Sequence, residues 1–312
     1  MNAFILTGTT GPDSLHPTTL PTPSLGATDV LVQVKAISLN PVDVKTTHGS
    51  GMYGRLKDEQ PLIPGWDISG IVTQVGAEVT QFKPGDEVFG MVNFPGHGRA
   101  YAEYVAAPAA HLAHKPASIS HEEAVAATLA ALTAWQALVT KANVQPGQRV
   151  LIHAAAGGVG HFAVQLAKDL GAYVIGTSSV AKREFVLSLG VDEHLDYTQV
   201  RFEEVLPPVD VVLDTVGGPN LVRSAAVLKS GGRLVSILGM TPEASSLAEQ
   251  RGATATAFLV ESSGAQMQQL ADRLADGRLR AHVSLALPFE QLPDALRQVE
   301  SGKTQGKVVV TL

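Results

Sequence analysis

One stretch constrains this chain more than any other. Arg149-Val-Leu-Ile-His153 reads as a buried strand, Ala155 to Gly160 as a tight turn, and Val159 to Leu170 as a helix that Gly171 can end. An Ala-x-Gly-x-x-Gly pattern that follows a strand and opens a helix has the form of a dinucleotide-binding loop. Gly157 lets the backbone approach a pyrophosphate, and Gly160 lets the helix pack closely on the strand. The amides at the helix start, over Ala156, Gly157, Gly158 and Val159, then face the negative charge. Ala155 departs from the glycine usual at the first position, which is tolerable if that turn needs no positive φ.

The pattern around the motif continues as alternating strands and helices. Tyr173 to Thr177, Val209 to Leu213 and Arg233 to Ile237 read as strands, and Lys182 to Leu189 as a helix closed by Gly190. Such alternation predicts an α/β fold with a doubly wound parallel sheet of the Rossmann type. The first 115 or so residues differ. Short strands at Val30–Ala36, Gly70–Val75 and Asp86–Gly90 are punctuated by Asn40-Pro41, Pro64-Gly65 and Lys83-Pro84-Gly85-Asp86, as in a compact β barrel. Ser120 and Glu123 form a capping box that starts an Ala-rich helical run to about Asn143. The tail reverts, with a helix from Ser263 to Leu274, a second from Phe289 to Glu300 and a closing strand Lys307–Thr311.

The end of the second parallel strand selects the cofactor. An NAD site places an acidic residue there, yet Gly176-Thr-Ser-Ser-Val-Ala-Lys-Arg183 has no Asp or Glu before Glu184. Small hydroxyls, Ser178 among them, followed by Lys182 and Arg183 suit a 2′-phosphate instead, so NADPH is the expected cofactor.

Several function classes drop out. With 23 Lys+Arg against 29 Asp+Glu, the net charge is −6 and no basic stripe appears, so no nucleic-acid partner is expected. The absence of cysteine removes disulfides, thiolate zinc sites, iron–sulfur clusters and cysteine nucleophiles. The histidines show no HExxH pattern, and His111 and His114 read as flanks of a surface strand, so no metal site is expected. Gly302-Lys303-Thr304 lacks the glycine of a P-loop, because Arg297 stands there. The start lacks a basic n-region and a long apolar core, and the stretch Ala124–Ala134 is too short for a bilayer. A cytoplasmic protein with no membrane association is expected.

Ordered matches along nearly the whole chain carry a resemblance. They are Leu39-Asn-Pro-Val-Asp43, Pro64-Gly-x-Asp67, Phe82-Lys-x-Gly-Asp86, Tyr101-Ala-Glu-Tyr104, Leu132-Thr-Ala134, the AAxGGVG loop, Asp214-x-Val-Gly217, Gly231-Gly232 and Gly306-Lys-Val308. Together they resemble the medium-chain dehydrogenase/reductase superfamily, in its zinc-independent quinone oxidoreductase (zeta-crystallin-like) and alkenal/enone reductase branch. The resemblance implies a GroES-like β barrel domain over 1–119 and 259–312, flanking a Rossmann NADP-binding domain over 120–258. It implies Asn40 at the nicotinamide end, Thr133 near the ribose-phosphate, Lys182 and Tyr197 on the 2′-phosphate, and the loops at Val216-Gly217 and Leu238-Gly239 bordering the nicotinamide. Where zinc-dependent members hold catalytic metal, this chain has Asn40-Pro41 and Gly65-Trp66-Asp67, with no cysteine near Leu129 to Thr133. The structural zinc lobe is also missing, since Asn93–Arg99 reads NFPGHGR.

Without metal or a nucleophile arrangement, the chemistry left is positioning a hydride donor against an electron-poor small-molecule acceptor, a quinone or an α,β-unsaturated carbonyl. Lys45 and Tyr53 are the candidates to polarise the acceptor or supply its proton. Trp66 and Phe94 are expected in the barrel core rather than as an aromatic wall for the substrate. A second reading keeps the cofactor site in a catalytically weak structural or regulatory protein, and a third has the same geometry reduce an enoyl acceptor. Family members are commonly dimers, and Thr254–Val260 reads as an edge strand able to pair across a two-fold in a homodimer.

Overall fold

The computed structural model describes residues 1–312. Strands β1 (Asn2–Leu6), β2 (Leu15–Thr19), β3 (Asp29–Leu39), β4 (Asp67–Val75), β5 (Glu87–Met91), β6 (Tyr104–Pro108) and β7 (Leu112–His114) come first. The next group is β8 (Arg149–Ile152), β9 (Tyr173–Ser178), β10 (Glu193–Asp196), β11 (Val209–Asp214), β12 (Leu228–Ser236) and β13 (Thr254–Ala257). The chain closes with β14 (Val283–Pro288) and β15 (Lys307–Thr311).

It divides into two compact units, one of residues 1–132 with 261–312 and one of residues 133–260. The first is built on a seven-stranded sheet running β14-β15-β3-β4-β5-β7, with β6 also paired to β3. The C-terminal strand β15 lies antiparallel on β3, so the last residues of the chain complete the first unit's sheet. Gly70 is required where β4 crosses β3, because a Cβ there would sit 2.1 Å from the Gln33 carbonyl oxygen. Trp66 and Phe94 are buried edge-to-face with centroids 5.2 Å apart, and the Trp66 indole donates to the Gly96 carbonyl at 2.6 Å. Both belong to the core.

The texture change at 119/120 begins the capped helix His121–Ala126, and both capping-box bonds form. The structure nevertheless keeps residues 120–132 in the first unit. Val125 and Ala126 of that helix pack on Ala36 of β3 and Val309 of β15. The Ala-rich run is also not one helix: it breaks into His121–Ala126, Leu129–Trp135 and a π-helical stretch Gln136–Lys141.

In the second unit the sheet is all parallel, in the order β10-β9-β8-β11-β12-β13. Numbered from β8, that is 3-2-1-4-5-6, the Rossmann order, whose strand sequence reverses between β8 and β11. Leu151, Ile175, Val212 and Leu234 pack with Phe202 and Leu221 in its core. Glu193–Asp196 has one apolar residue in four and pairs only with β9, so the pattern of apolar runs passes over β10. Strand β13 is the opposite edge, paired on one side only.

Candidate functional site

In the Rossmann unit, β8 delivers the glycine loop. The left-handed residue of the turn is Ala154 (φ 48°), not Ala155, which explains how alanine stands at the first motif position. Thr177 at the end of β9 pins this turn, accepting from the Ala154 amide through its hydroxyl (3.2 Å) and from the Ala155 amide through its carbonyl (2.9 Å). Buried His153 lies against the same hydroxyl through Nδ1 (3.2 Å) and against Ser224 Oγ through Nε2 (3.0 Å). Burial pushes its pKa down to about 4, so the ring is neutral. The Gly157 amide closes the turn on the Ala154 carbonyl at 2.8 Å, and Gly157 caps the helix Gly158–Asp169. Ala156 is buried, and Gly157, Gly158 and Val159 are partly exposed at the helix start, where free amides and the helix dipole favour an anion.

Ser178, Lys182 and Tyr197 come together at the carboxyl ends of β9 and β10. The Tyr197 amide donates to the Ser178 carbonyl at 3.3 Å, and its ring is 64% exposed. Lys182 ends the turn Val180–Lys182, and partial burial lowers its pKa. One neighbour escapes the sequence reading. His194 of β10 brings Nε2 to 2.8 Å from Ser178 Oγ.

Asp214, at the end of β11, organises the next two loops. Its buried carboxylate accepts from the Gly217 amide (2.9 Å), Asn220 Nδ2 (2.9 Å) and Ser236 Oγ (3.2 Å). Ser236 in turn accepts from the Leu238 amide at 3.2 Å, so Val216-Gly217 and Leu238-Gly239 are held by one carboxylate. Thr133 is buried in the helix Leu129–Trp135. Of the eight exposed large apolar side chains in the chain, Val180, Tyr197, Val216, Leu238 and Leu259 each follow the carboxyl end of a parallel strand. Apolar exposure gathered on that edge marks where an open α/β sheet takes its ligand.

The first unit holds a buried charged cluster around Asn40. Asn40 Nδ2 donates to Asp67 Oδ2 (2.8 Å), while Lys307 Nζ donates to Asn40 Oδ1 (2.5 Å) and to the Leu39 carbonyl (2.7 Å). With an ammonium on its oxygen and a carboxylate on its nitrogen, the amide has one stable orientation. Asp67 Oδ1 also accepts from the Leu129 amide at 3.0 Å, and Asp43 accepts from the Asn40 amide at 2.6 Å. Burial, and then the charge of Asp67, pushes the Asp43 pKa up to about 8. Burial likewise raises Asp67 and lowers Lys307. Asp43 Oδ1 and Tyr101 Oη are buried with no partner besides each other, and burial, then the charges of Asp43 and Asp67, lifts the Tyr101 pKa well above the ordinary phenol value.

These residues do not fit a zinc ion. Asn40, Trp66 and Asp67 offer neither thiolate nor imidazole, no three His, Cys, Asp or Glu residues converge anywhere in the chain, and the Lys307 ammonium already stands against Asn40. Lys45 is exposed on the helix Pro41–Thr47. Tyr53 is half-buried at the start of the short helix Tyr53–Leu56, with the intervening loop tied back by Ser50 Oγ donating to the Lys45 carbonyl. No helix is long and apolar enough to cross a membrane.

Comparison with known proteins bears on both units. Residues 26–117 match the alcohol dehydrogenase GroES-like domain, and residues 189–310 match a family described as zinc-binding dehydrogenase. A 2-methylene-furan-3-one reductase of Solanum lycopersicum is 34% identical over 92% of this chain and 73% of its own length. The chloroplastic NADPH-dependent alkenal/one oxidoreductase of Arabidopsis thaliana is 33% identical with 92% of this chain covered and 73% of its own. Among solved structures, the quinone oxidoreductase from Coxiella burnetii superposes with a TM-score of 0.94 at 35% identity, over 100% of this chain and 99% of that one.

Proposed function

This chain belongs to the medium-chain dehydrogenase/reductase superfamily of NAD(P)H-dependent oxidoreductases, and from that membership we propose that it is an NADPH-dependent, metal-free reductase of quinones or α,β-unsaturated carbonyls. The observation that carries this reading is the Lys307–Asn40–Asp67 chain, in which the amide and carboxylate of the segments that resemble the metal-binding loops of zinc-dependent members are engaged by an internal ammonium and by each other. A site without a Lewis acid suits an acceptor that is already electron-poor. Relatives named for an enone reductase, an alkenal/one oxidoreductase and a quinone oxidoreductase support the same acceptor class.

NADPH, when bound, supplies a hydride, and the acceptor takes that hydride plus one proton. In the Rossmann unit the amides of Ala156, Gly158 and Val159 hold the pyrophosphate, with Gly157 shaping the turn that presents them, and Ser178, Lys182 and Tyr197 hold the 2′-phosphate. Thr133, Val216, Leu238 and Gly239 contact the ribose-nicotinamide half. For the barrel unit, the family resemblance assigns Asn40, Lys45 and Tyr53 to the reduction of the acceptor, with Lys45 or Tyr53 as the proton donor. The domain roles follow: cofactor on residues 133–260, acceptor on the barrel unit.

The test is loss of NADPH absorbance against 1,4-benzoquinone, 9,10-phenanthrenequinone, an alkenal, an enone and a simple ketone, with NADH in parallel. Turnover of quinones or enones with NADPH, and none of the ketone, is expected. Ketone reduction that depends on added zinc overturns the metal-free reading, and tight NADPH binding without turnover moves the protein to a binding or regulatory role. The one-sided pairing of β13 supports a homodimer built across that edge, for which sedimentation equilibrium is expected to give twice the chain mass of 32.6 kDa. A single-chain mass at micromolar concentration removes it.

A further inference from the structure

We propose that His194 is a specificity residue for the 2′-phosphate of NADPH, and that it makes the preference for NADPH over NADH grow as pH falls. The proposal rests on the 2′-phosphate reading of Ser178 and Lys182 given above, and adds a group and a pH response to it.

The register places His194 opposite Gly176 and Asp196 opposite Ser178. Residues two apart on a strand share a face, so the His194 and Asp196 side chains lie on one side of the sheet. It is the side of the turn Val180–Lys182, because Asp196 accepts from the Val180 amide. His194 therefore stands on the face that carries the turn Val180–Lys182, against Ser178.

The hydrogen bonds accommodate either charge state. The Ser178 hydroxyl can donate to the Ser179 carbonyl (3.0 Å) while accepting from His194 Nε2 (2.8 Å), so the contact to Ser178 survives when both ring nitrogens carry a proton. The ring can change charge and keep its place.

The surrounding charges set when this happens. Partial burial and then the Arg183 guanidinium hold the His194 pKa below its usual value, with Asp196 on the same strand opposing them. Lys182 adds positive charge from the turn, whereas Glu184 is paired with Arg183 (2.8 Å) and Glu193 with Arg149 of β8 (3.6 Å). With no phosphate beside it, His194 is held toward the neutral form at neutral pH. A phosphate anion beside it reverses the balance, because an adjacent negative charge favours the protonated ring. Binding NADPH then takes up a proton, and NADH, which lacks that phosphate, does not.

Dissociation constants for NADPH and NADH, measured on the full chain by fluorescence between about pH 8.5 and pH 5.5, test this with His194→Gln and His194→Val. The 2′-phosphate itself gains a proton near about pH 6, which weakens binding in every variant and least where a protonated ring opposes it, so comparison between variants reads the ring and its coupling to the phosphate. The wild-type NADPH/NADH affinity ratio is expected to exceed that of His194→Gln by about tenfold at the acid end and to approach it at the alkaline end. His194→Val, which also removes the donor to Ser178, is expected to fall below both at every pH. Calorimetry in two buffers of different ionisation enthalpy should show proton uptake with NADPH in the wild type and less in His194→Gln. If His194→Gln tracks the wild type across the range, the proposal is wrong and the NADPH reading stands as long as the wild type prefers NADPH. A wild type without that preference at any pH overturns both.

Discussion

Replacing Lys307 with methionine is expected to lower the stability of the barrel unit by about 3–5 kcal/mol, the scale of leaving a buried charge uncompensated. Lys307 is 3% exposed and its ammonium lies on Asn40 Oδ1 and the Leu39 carbonyl, with Asp67 on the far side of the Asn40 amide. Methionine fills similar volume but leaves Asp67 without a countercharge and two acceptors without a donor. The double variant Lys307→Met/Asp67→Asn removes the charge as well, and is expected to recover most of the loss in a urea titration. Equal instability of the single and double variants would show that Asp67 is already protonated in the folded state.

The same cluster gives the protein a pH-dependent stability of defined sign. The folded-state pKa of Asp43 is raised from 3.8 to about 8, so its contribution is complete below the unfolded pKa and is lost as pH rises through the folded one. Asp67, also raised, acts in the same direction. The urea midpoint of the wild type is therefore expected to decline, relative to an Asp43→Asn variant, as pH moves from about 5 to above about 8.

How much of this was legible beforehand depends on range along the chain. The strand, glycine loop and helix at 149–170 are contiguous, and the Rossmann strands announce themselves by apolar runs between helices. Ser120 and Glu123 signal a helix start three residues apart, and both bonds form. The same helix is claimed by the barrel through Ala36 and Val309, contacts that no local signal carries. Lys307 and Asn40 are 267 residues apart in sequence, and their meeting depends on β15 pairing with β3. Asn40 could be named from its motif, but the ammonium that orients it could not.

Two other cases separate in the same way. Ala155 departs from the glycine that the motif places there, and the backbone puts its positive φ one residue earlier, at Ala154. His194 lies on a short edge strand with one apolar residue and no periodicity to expose it, so only the pairing of β10 with β9 brings it to Ser178. Residues that act within one turn can be read from spacing. Those that act across a sheet need the sheet.

The glycine loop gives the second large effect, and it is graded. Gly160→Ala is expected to weaken binding of the nicotinamide cofactor by about 100-fold, the scale of a 1 Å misplacement of binding groups. A Cβ at 160 would lie 2.1 Å from the Ala154 carbonyl oxygen and 2.8 Å from the Ala155 Cα. Both are backbone atoms of the turn itself, so no side chain can swing aside to make room. Either the helix Gly158–Asp169 lifts from β8, or the turn opens and gives up the Thr177 bonds to the Ala154 and Ala155 amides. Each response moves the amides proposed to face the pyrophosphate. Gly157→Ala meets the same carbonyl oxygen at 3.2 Å, and Gly157 already has φ −81°, so a shift of a few tenths of an ångström relieves it. Its loss is expected to be several-fold smaller. Fluorescence titration with NADPH, beside a thermal melt of each variant, separates the binding effect from the overpacking cost of about 1–3 kcal/mol. Wild-type affinity in Gly160→Ala would mean that this loop does not hold the cofactor, and the fold would then be a Rossmann sheet whose glycines serve helix packing alone.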